Sequence, residues 1–227
     1  MNFLKLNLQA KQYHKIIKFN SKIINKKFIL ENYGLFLGNK SFYRLIKCYE
    51  LLKEVKNIKG NVIEFGVWNG NNLFSLKKIS DYLKTKKKII GIDNFSGLPN
   101  PTKKKMPAKY IGNKKLIKFI INFFNFNGIK IIDDDIMNLQ NHKKKIGKIS
   151  FAYIDCDIYQ VAKKILDEIH PKISLGGIIA FDEGGRGINK GEGRAMKDFL
   201  NLHKNKYKKE ILLKNYQPDI LLRKVRL

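Results

Sequence analysis

The sequence has few cysteines and no long apolar run. Its two cysteines, Cys48 and Cys156, are far apart and in no metal-ligand or redox spacing, which excludes a disulfide framework and favours free thiols in a reducing compartment. No segment approaches the roughly 18 apolar residues of a membrane-spanning helix. Residues 1–20 lack the apolar region and the cleavage site of a signal peptide. We therefore expect a cytoplasmic protein without a transmembrane segment.

Acidic residues and arginine are scarce too. The 227 residues include 19 Asp and Glu against 46 Lys and Arg, a formal net charge of +27, yet only five of the basic residues are arginine. Specific recognition of phosphates and bases favours arginine, so a nucleic-acid partner is not expected. The joint abundance of lysine, isoleucine and asparagine favours a compositional origin of the charge. A preference for polyanions or a membrane surface stays open.

From residue 61 onwards, short apolar runs alternate with longer amphipathic ones. The runs predicted to be strands are NVIEFGV, KKIIGID, IKIID, KISFAYID and LGGIIAFDE. Strands that alternate with helices predict an α/β fold with a mainly parallel sheet. The segments on either side of YQPD predict an antiparallel hairpin that closes the sheet. We divide the chain into a helical N-terminal extension, residues 1–59, and one larger domain, residues 60–227.

Nearly half of the acids follow these predicted strands. The nine residues are Glu64, Asp93, Asp133, Asp134, Asp135, Asp155, Asp157, Asp182 and Glu183. Ligands of open α/β sheets bind outside the carboxyl ends of the strands. The acids are therefore expected to line one edge of the sheet, where the ligand binds.

A glycine turn follows the first strand. VIEFGVWNGNN contains Gly66 and Gly70, but Trp68 and Asn69 stand where a dinucleotide-binding fingerprint has glycines. NAD is therefore disfavoured, and the turn suits a cofactor without a pyrophosphate, although a plain structural turn stays open. Asp93 ends the second strand, where an acid binds ribose hydroxyls or caps a turn. Asp135 is predicted to accept from an adenine amino group.

The fourth and fifth strands end in the acids that favour a metal. Asp155, Asp182 and Glu183 would lie close together, and three neighbouring carboxylates stay ionised only beside a cation. Oxygen ligands of this kind suit Mg²⁺. Asp155 or Asp157 is the candidate base. Two plainer interpretations stay open, namely that Asp157 caps the following helix and that Asp182 and Glu183 are solvated.

Five segments, taken together, carry a family resemblance. They are VIEFGVWNGNNL, GIDNFSGLP, YIDCDIYQ, LGGIIAFDE and GEGRAMKDFL. The chain resembles the class I S-adenosylmethionine-dependent methyltransferases and, more narrowly, the macrocin O-methyltransferase family, which methylates sugar hydroxyls with Mg²⁺. One departure is that the acidic pair, often Asp-Asp-Tyr in the family, is Asp182–Glu183–Gly184 here.

The resemblance implies a Rossmann-like, seven-stranded sheet with an antiparallel last strand and helices on both faces. It also implies that Asp155, Asp182 and Glu183 hold Mg²⁺, and that residues 1–59 cover the acceptor. The residues that we expect to hold S-adenosylmethionine are Glu64, Gly66, Trp68, Gly70, Asp93 and Asp135.

The expected acceptor is a sugar or a glycosylated small molecule. An RNA methyltransferase of the same fold, favoured by the charge, and a non-catalytic basic binding domain are the alternatives. The sequence leaves the acceptor and the oligomeric state open, a homo-oligomer included.

Overall fold

The computed structural model describes residues 15, 18, 24–97, 110–185 and 191–227. The chain divides into two compact units, Met1–Tyr43 and Arg44–Leu227. Residues 1–14, 16, 17 and 19–23 of the predicted N-terminal extension lie outside the described residues. The rest of the extension is mainly helical, with helices at Lys26–Glu31 and Asn39–Glu54 and a 3-10 turn at Tyr33–Leu35. The domain boundary at residue 60 stays a prediction.

The helices and strands alternate along the chain as the sequence predicts. The helices are α1 (Lys26–Glu31), α2 (Asn39–Glu54), α3 (Asn71–Tyr82), α4 (Lys114–Phe123), α5 (Lys143–Ile146), α6 (Tyr159–Ile169) and α7 (Gly191–Leu202). The strands are β1 (Asn61–Phe65), β2 (Ile89–Asp93), β3 (Ile129–Asp133), β4 (Ile149–Ile154), β5 (Ile173–Phe181), β6 (Tyr207–Ile211) and β7 (Ile220–Lys224). Among the described residues, no helix is long and apolar enough to cross a membrane.

The seven strands form one sheet in the order β3-β2-β1-β4-β5-β7-β6. The pairs among β1 to β5 are parallel, and β7 runs antiparallel to both β5 and β6. This arrangement confirms the predicted fold class, including the antiparallel hairpin at the C-terminus. Parallel strands bring all their carboxyl ends to one edge, and this edge carries the candidate site.

Side chains of the central strand point alternately into two separate cores. On β4, Ala152 and Ile154 belong to the core that contains α6 and α7. Phe151 and Tyr153 belong to the core that contains α3 and the C-terminal half of α2. All six residues of β4 are buried, as expected for a parallel strand covered by helices on both faces.

The backbone of β1 leaves the sheet through a glycine that lies against the next loop. Gly66 has a φ of +87°, and a Cβ there would lie 1.8 Å from the carbonyl oxygen of Asp155. A backbone oxygen cannot move aside as the end of a side chain can. Glycine at position 66 therefore lets the turn after β1 approach the loop after β4.

We expect Gly66→Ala to destabilise the protein more than Gly128→Ala does. Gly128 has the same φ of +87° but open space around it, so its replacement costs only the backbone strain, about 1–2 kcal/mol. The steric clash at Gly66 should add about 2 kcal/mol or more, or prevent folding. Urea unfolding of both variants measures the difference. Equal free energies of unfolding would show that the two loops do not need this close contact.

Candidate active site

The strand ends place the predicted acids side by side. The amide of Asp155 donates to the carbonyl of Phe65 (2.9 Å), and the amide of Asp182 donates to the carbonyl of Ile154 (2.9 Å). The sheet hydrogen bonds therefore continue one residue beyond β1, β4 and β5. As a result, Gly66, Asp155 and Asp182 lie in neighbouring positions at the carboxyl edge.

Glu64 is a buried carboxyl group, one oxygen of which is available to a ligand. Its side chain is 2% exposed, and Oε1 accepts a hydrogen bond from Asn72 Nδ2 (3.0 Å). Oε2 has no hydrogen-bond partner in the described part of the chain. Burial raises the pKa of Glu64 to about 8, although the bond from Asn72 opposes this shift. A buried polar oxygen without a partner fits a site completed by a polar group of a ligand.

Asp93 organises the two loops beside the turn. Its carboxylate accepts from the amides of Trp68 (2.8 Å) and Phe95 (2.7 Å), one on each oxygen. Each oxygen keeps a further lone pair, so contact with ribose hydroxyls stays compatible with these bonds. The Trp68 ring is half exposed and lies edge-on to Tyr110, with 6.1 Å between ring centroids. Gly70, with a φ of +85°, is the N-cap residue of α3.

Asp134 and Asp135, the two acids that follow β3, are held mainly by local contacts, whereas Asp133 at the end of β3 pairs with Lys114. Asp135 caps the 3-10 segment Ile136–His142, because its Oδ1 accepts from the amide of Met137 (2.8 Å). Asp134 bonds His142 Nε2 (2.7 Å). The cap still leaves Asp135 with lone pairs for an adenine amino group, so that role remains a prediction.

The closest cluster of acids joins two predicted residues to one that the sequence analysis missed. One ligand atom each from Asp155, Asp157 and Glu192 lies within 4.8 Å of the other two. Glu192 is fully buried at the start of α7. Its Oε1 accepts from the amides of Cys156 (2.7 Å) and Asp157 (3.1 Å), and its Oε2 accepts from the amide of Glu183 (3.2 Å). Glu192 therefore joins the loops after β4 and β5.

Two glycines bring Glu192 into this position. A Cβ at Gly191 would lie 2.2 Å from the carbonyl oxygen of Asp157, and one at Gly193 would lie 2.3 Å from that of Gly184. The start of α7 thus packs directly on the backbone of both loops. The motif GEG, an acid between glycines in a chain with few acids, is the sequence signal that marks Glu192.

Asp182 and Glu183 are engaged by other side chains. Asp182 is buried, lies 3.0 Å from Arg44 Nη2 and accepts from the hydroxyl of Tyr153. The same Arg44 nitrogen donates to Gln217 Oε1 (2.6 Å), and Gln217 Nε2 donates to Glu183 Oε1 (3.0 Å). Two of the three acids predicted as metal ligands are therefore linked through one arginine and one glutamine.

The carboxyl edge brings several acids together in a largely buried volume. Burial, followed by the repulsion of Asp182 and Glu192, raises the pKa of Asp155 well above its usual range. Burial raises the pKa of Glu192 to about 8, against the effect of its amide bonds. Arg44 is the only cation that the structure pairs with Asp182 among the described residues. A bound cation would keep the remaining carboxylates ionised.

A known protein family matches most of the chain. The model of the macrocin-O-methyltransferase (TylF) family matches residues 33–211, which include every predicted site residue. The chain belongs to this family. The resemblance read from the sequence motifs is therefore confirmed.

Two curated relatives are similar to this chain over 65% of its length. Demethyldecarbamoylnovobiocin O-methyltransferase of Streptomyces niveus is 22% identical over 164 residues. The 8-demethyl-8-(2,3-dimethoxy-alpha-L-rhamnosyl)-tetracenomycin-C 4'-O-methyltransferase of Streptomyces olivaceus is 21% identical over 160 residues. The matched region spans 61% of each relative.

The solved structure of the calicheamicin methyltransferase CalS11 has the same fold. Its TM-score is 0.74 at 22% identity, and the match covers 95% of this chain and 91% of CalS11. At this identity the likeness establishes the fold alone.

We expect the ligand-free protein to lose stability as pH rises from about 5 to about 8, and Glu64→Gln to reduce this loss. The folded protein keeps the Glu64 proton until about pH 8, whereas the unfolded chain releases it near 4.5. Folding therefore binds a proton in this window, and each such group lowers stability by up to about 1.4 kcal/mol per pH unit. Urea unfolding at several pH values measures the slope.

The exposed Glu50 provides the control for this prediction. Glu50→Gln should leave the slope of the wild type unchanged, since half of its side chain is in contact with solvent. If the Glu64→Gln and wild-type curves run parallel, Glu64 is ionised in the folded protein and its environment is more polar than the contacts indicate.

Proposed function

We propose that this chain is an S-adenosylmethionine-dependent, Mg²⁺-assisted O-methyltransferase that acts on a hydroxyl of a sugar or a glycosylated small molecule. The observation that carries the proposal is the cluster of Asp155, Asp157 and Glu192 beside the glycine turn. Family membership supports methyl transfer to oxygen. A sugar acceptor is supported by the relative whose name specifies a rhamnosyl group.

The glycine turn and two acids would hold the cofactor. Glu64 offers its unpartnered Oε2 to the amino group of the methionine part, and Asp93 offers its free lone pairs to the ribose. Gly66 and Gly70 allow the backbone to approach the ligand, and Trp68 and Asp135 are the proposed contacts of the adenosine part. When bound, S-adenosylmethionine supplies an electrophilic methyl group.

The chain itself would position the acceptor hydroxyl and take its proton. Asp155 or Asp157 is the proposed base, because both lie at the mouth of the cluster and are partly exposed. Burial raises the pKa of Asp155 well above its usual range, which favours proton uptake by this group. Asp157 has a φ of +59°, a backbone strain typical of functional positions.

Two sets of residues are candidate ligands of Mg²⁺, and Asp155 belongs to both. The geometry favours Asp155, Asp157 and Glu192, whose oxygens already converge. The family resemblance favours Asp155, Asp182 and Glu183. In the second set, the positive charge of Arg44 would lie beside the metal, and Glu183 would have to exchange its bond with Gln217. Hard carboxylate oxygens suit Mg²⁺ in either set.

Calorimetric titration with S-adenosylmethionine tests the cofactor. We expect wild-type protein to bind it, and Asp93→Ala to lose at least about tenfold in affinity, because both ribose contacts disappear. Asp155→Asn should bind the cofactor nearly as well as wild type but transfer no methyl group. Asp167→Ala, an exposed acid on α6, is the matched control. No binding to the wild type would refute the proposed cofactor and with it the methyltransferase function.

Binding of Mn²⁺ as a substitute for Mg²⁺, followed by electron paramagnetic resonance, distinguishes the two ligand sets. If Glu192 is a ligand, Glu192→Gln should weaken binding about tenfold or more, while Glu183→Gln stays close to wild type. The reverse result would assign the metal to Asp155, Asp182 and Glu183. Circular dichroism and cofactor titration of each variant check that the fold is intact. Unchanged binding in both variants would refute both sets.

A further inference from the structure

Helix α4 has a second apolar face, which is exposed to solvent. Ile117 is buried against the core. Leu116, Phe119 and Phe123 are spaced by three and four residues, so they share a different face of the helix. All three are exposed, Phe119 by 61% and Phe123 by 69%. A helix face in contact with solvent normally carries polar or charged side chains, whereas this face carries apolar ones.

The exposed residues form one continuous surface. Phe119 stacks on Phe123 with 5.6 Å between ring centroids, and Phe123 meets Phe124 edge-on at 5.0 Å. Phe124, 56% exposed, stacks in turn on Phe126 at 5.4 Å. We call Leu116, Phe119, Phe123 and Phe124 the phenylalanine patch. Contiguous apolar surfaces of this kind usually mark an interaction site.

Lysines surround the patch. Lys115 and Lys118 lie on the same helix, are exposed, and have no ion-pair partner among the described residues. Lys78 of α3 lies over the Phe124 ring, with Nζ 6.0 Å from the centroid. The sequence contains no acid from residue 110 to residue 132. The partner of the patch must therefore be apolar at its centre and negatively charged at its border.

We propose that the phenylalanine patch binds the surface of a membrane that contains anionic lipids. The rings would enter the boundary between headgroups and acyl chains, while Lys78, Lys115 and Lys118 contact the anionic headgroups. An amphipathic helix that lies in the plane of the interface needs no spanning segment. The proposal also gives a local role to part of the +27 charge.

Two other partners fit the contacts less well. In a symmetric dimer, the lysines of one patch would face the same lysines of the second copy, and the net charges of +27 would repel. Single-stranded nucleic acid needs free ring faces on which bases stack. Here the rings stack on one another, and the neighbouring cations are lysines rather than arginines.

The position of the patch also indicates where the acceptor is carried, an inference that rests on the proposed function. The residue before α4, Asn113, donates its amide to Asn69 Oδ1 in the glycine turn (3.0 Å). A Cβ at the neighbouring Gly112 would lie 2.3 Å from the carbonyl oxygen of Trp68. The start of α4 is thus fixed to the candidate cofactor site. Membrane binding through α4 would bring that site near sugars carried on lipids.

Co-sedimentation with vesicles tests the proposal. We expect the wild type to bind vesicles of phosphatidylcholine mixed with phosphatidylglycerol, to bind phosphatidylcholine alone weakly, and to dissociate as salt increases. Phe119→Ser/Phe123→Ser should reduce binding about tenfold or more. Lys115→Gln/Lys118→Gln should reduce binding to the anionic vesicles only. Leu202→Ser, which removes an equally exposed apolar side chain from α7, is the control and should bind like the wild type.

Three results would overturn the proposal. The first is vesicle binding that is absent or unaffected by the phenylalanine substitutions. The second is a wild-type dimer in lipid-free buffer that Phe119→Ser/Phe123→Ser converts to a monomer. The third is binding of oligouridine through the patch by protein that does not bind vesicles. Vesicle binding does not depend on the cofactor, so failure of this proposal and failure of methyl transfer are separate results.

Discussion

The candidate site depends on holding several acids close together at a largely buried edge of the sheet. Burial and mutual repulsion both oppose this arrangement, and each raises the pKa values of the acids. Glu192 offsets part of the cost by accepting three backbone amides. These bonds fix the loops after β4 and β5 relative to each other, so one buried side chain sets the shape of the candidate site.

A second network reaches the same edge from distant parts of the sequence. Arg44 comes from α2, and Gln217 comes from the turn before β7, 173 residues later. Together they link Asp182 and Glu183, while Asp219 of the same turn accepts from the amide of Gly185. The ends of the larger unit therefore converge on the site. A guanidinium placed here neutralises one acid and leaves the others available for an ionic ligand.

The sequence predicted the features that depend on local pattern. Strand and helix periods, together with the acids that follow the strands, were enough for the fold class and for Glu64, Asp93 and Asp155 at one edge. Glu192 and Arg44 were missed because their roles arise from contacts with residues far away in the chain. Nothing near Arg44 distinguishes it from a surface arginine, whereas the glycines that flank Glu192 do carry a readable signal.

Helix α4 shows how one segment can serve both the site and a surface. Its inner face contributes Ile117 to the core, its N-terminal boundary is bonded to the glycine turn, and its outer face exposes phenylalanine beside lysine. Folding alone requires only the first of these features. An apolar outer face lowers solubility and promotes aggregation unless it has a partner. Since the start of α4 is bonded to the glycine turn, an acceptor presented at a lipid surface would lie near the candidate cofactor site.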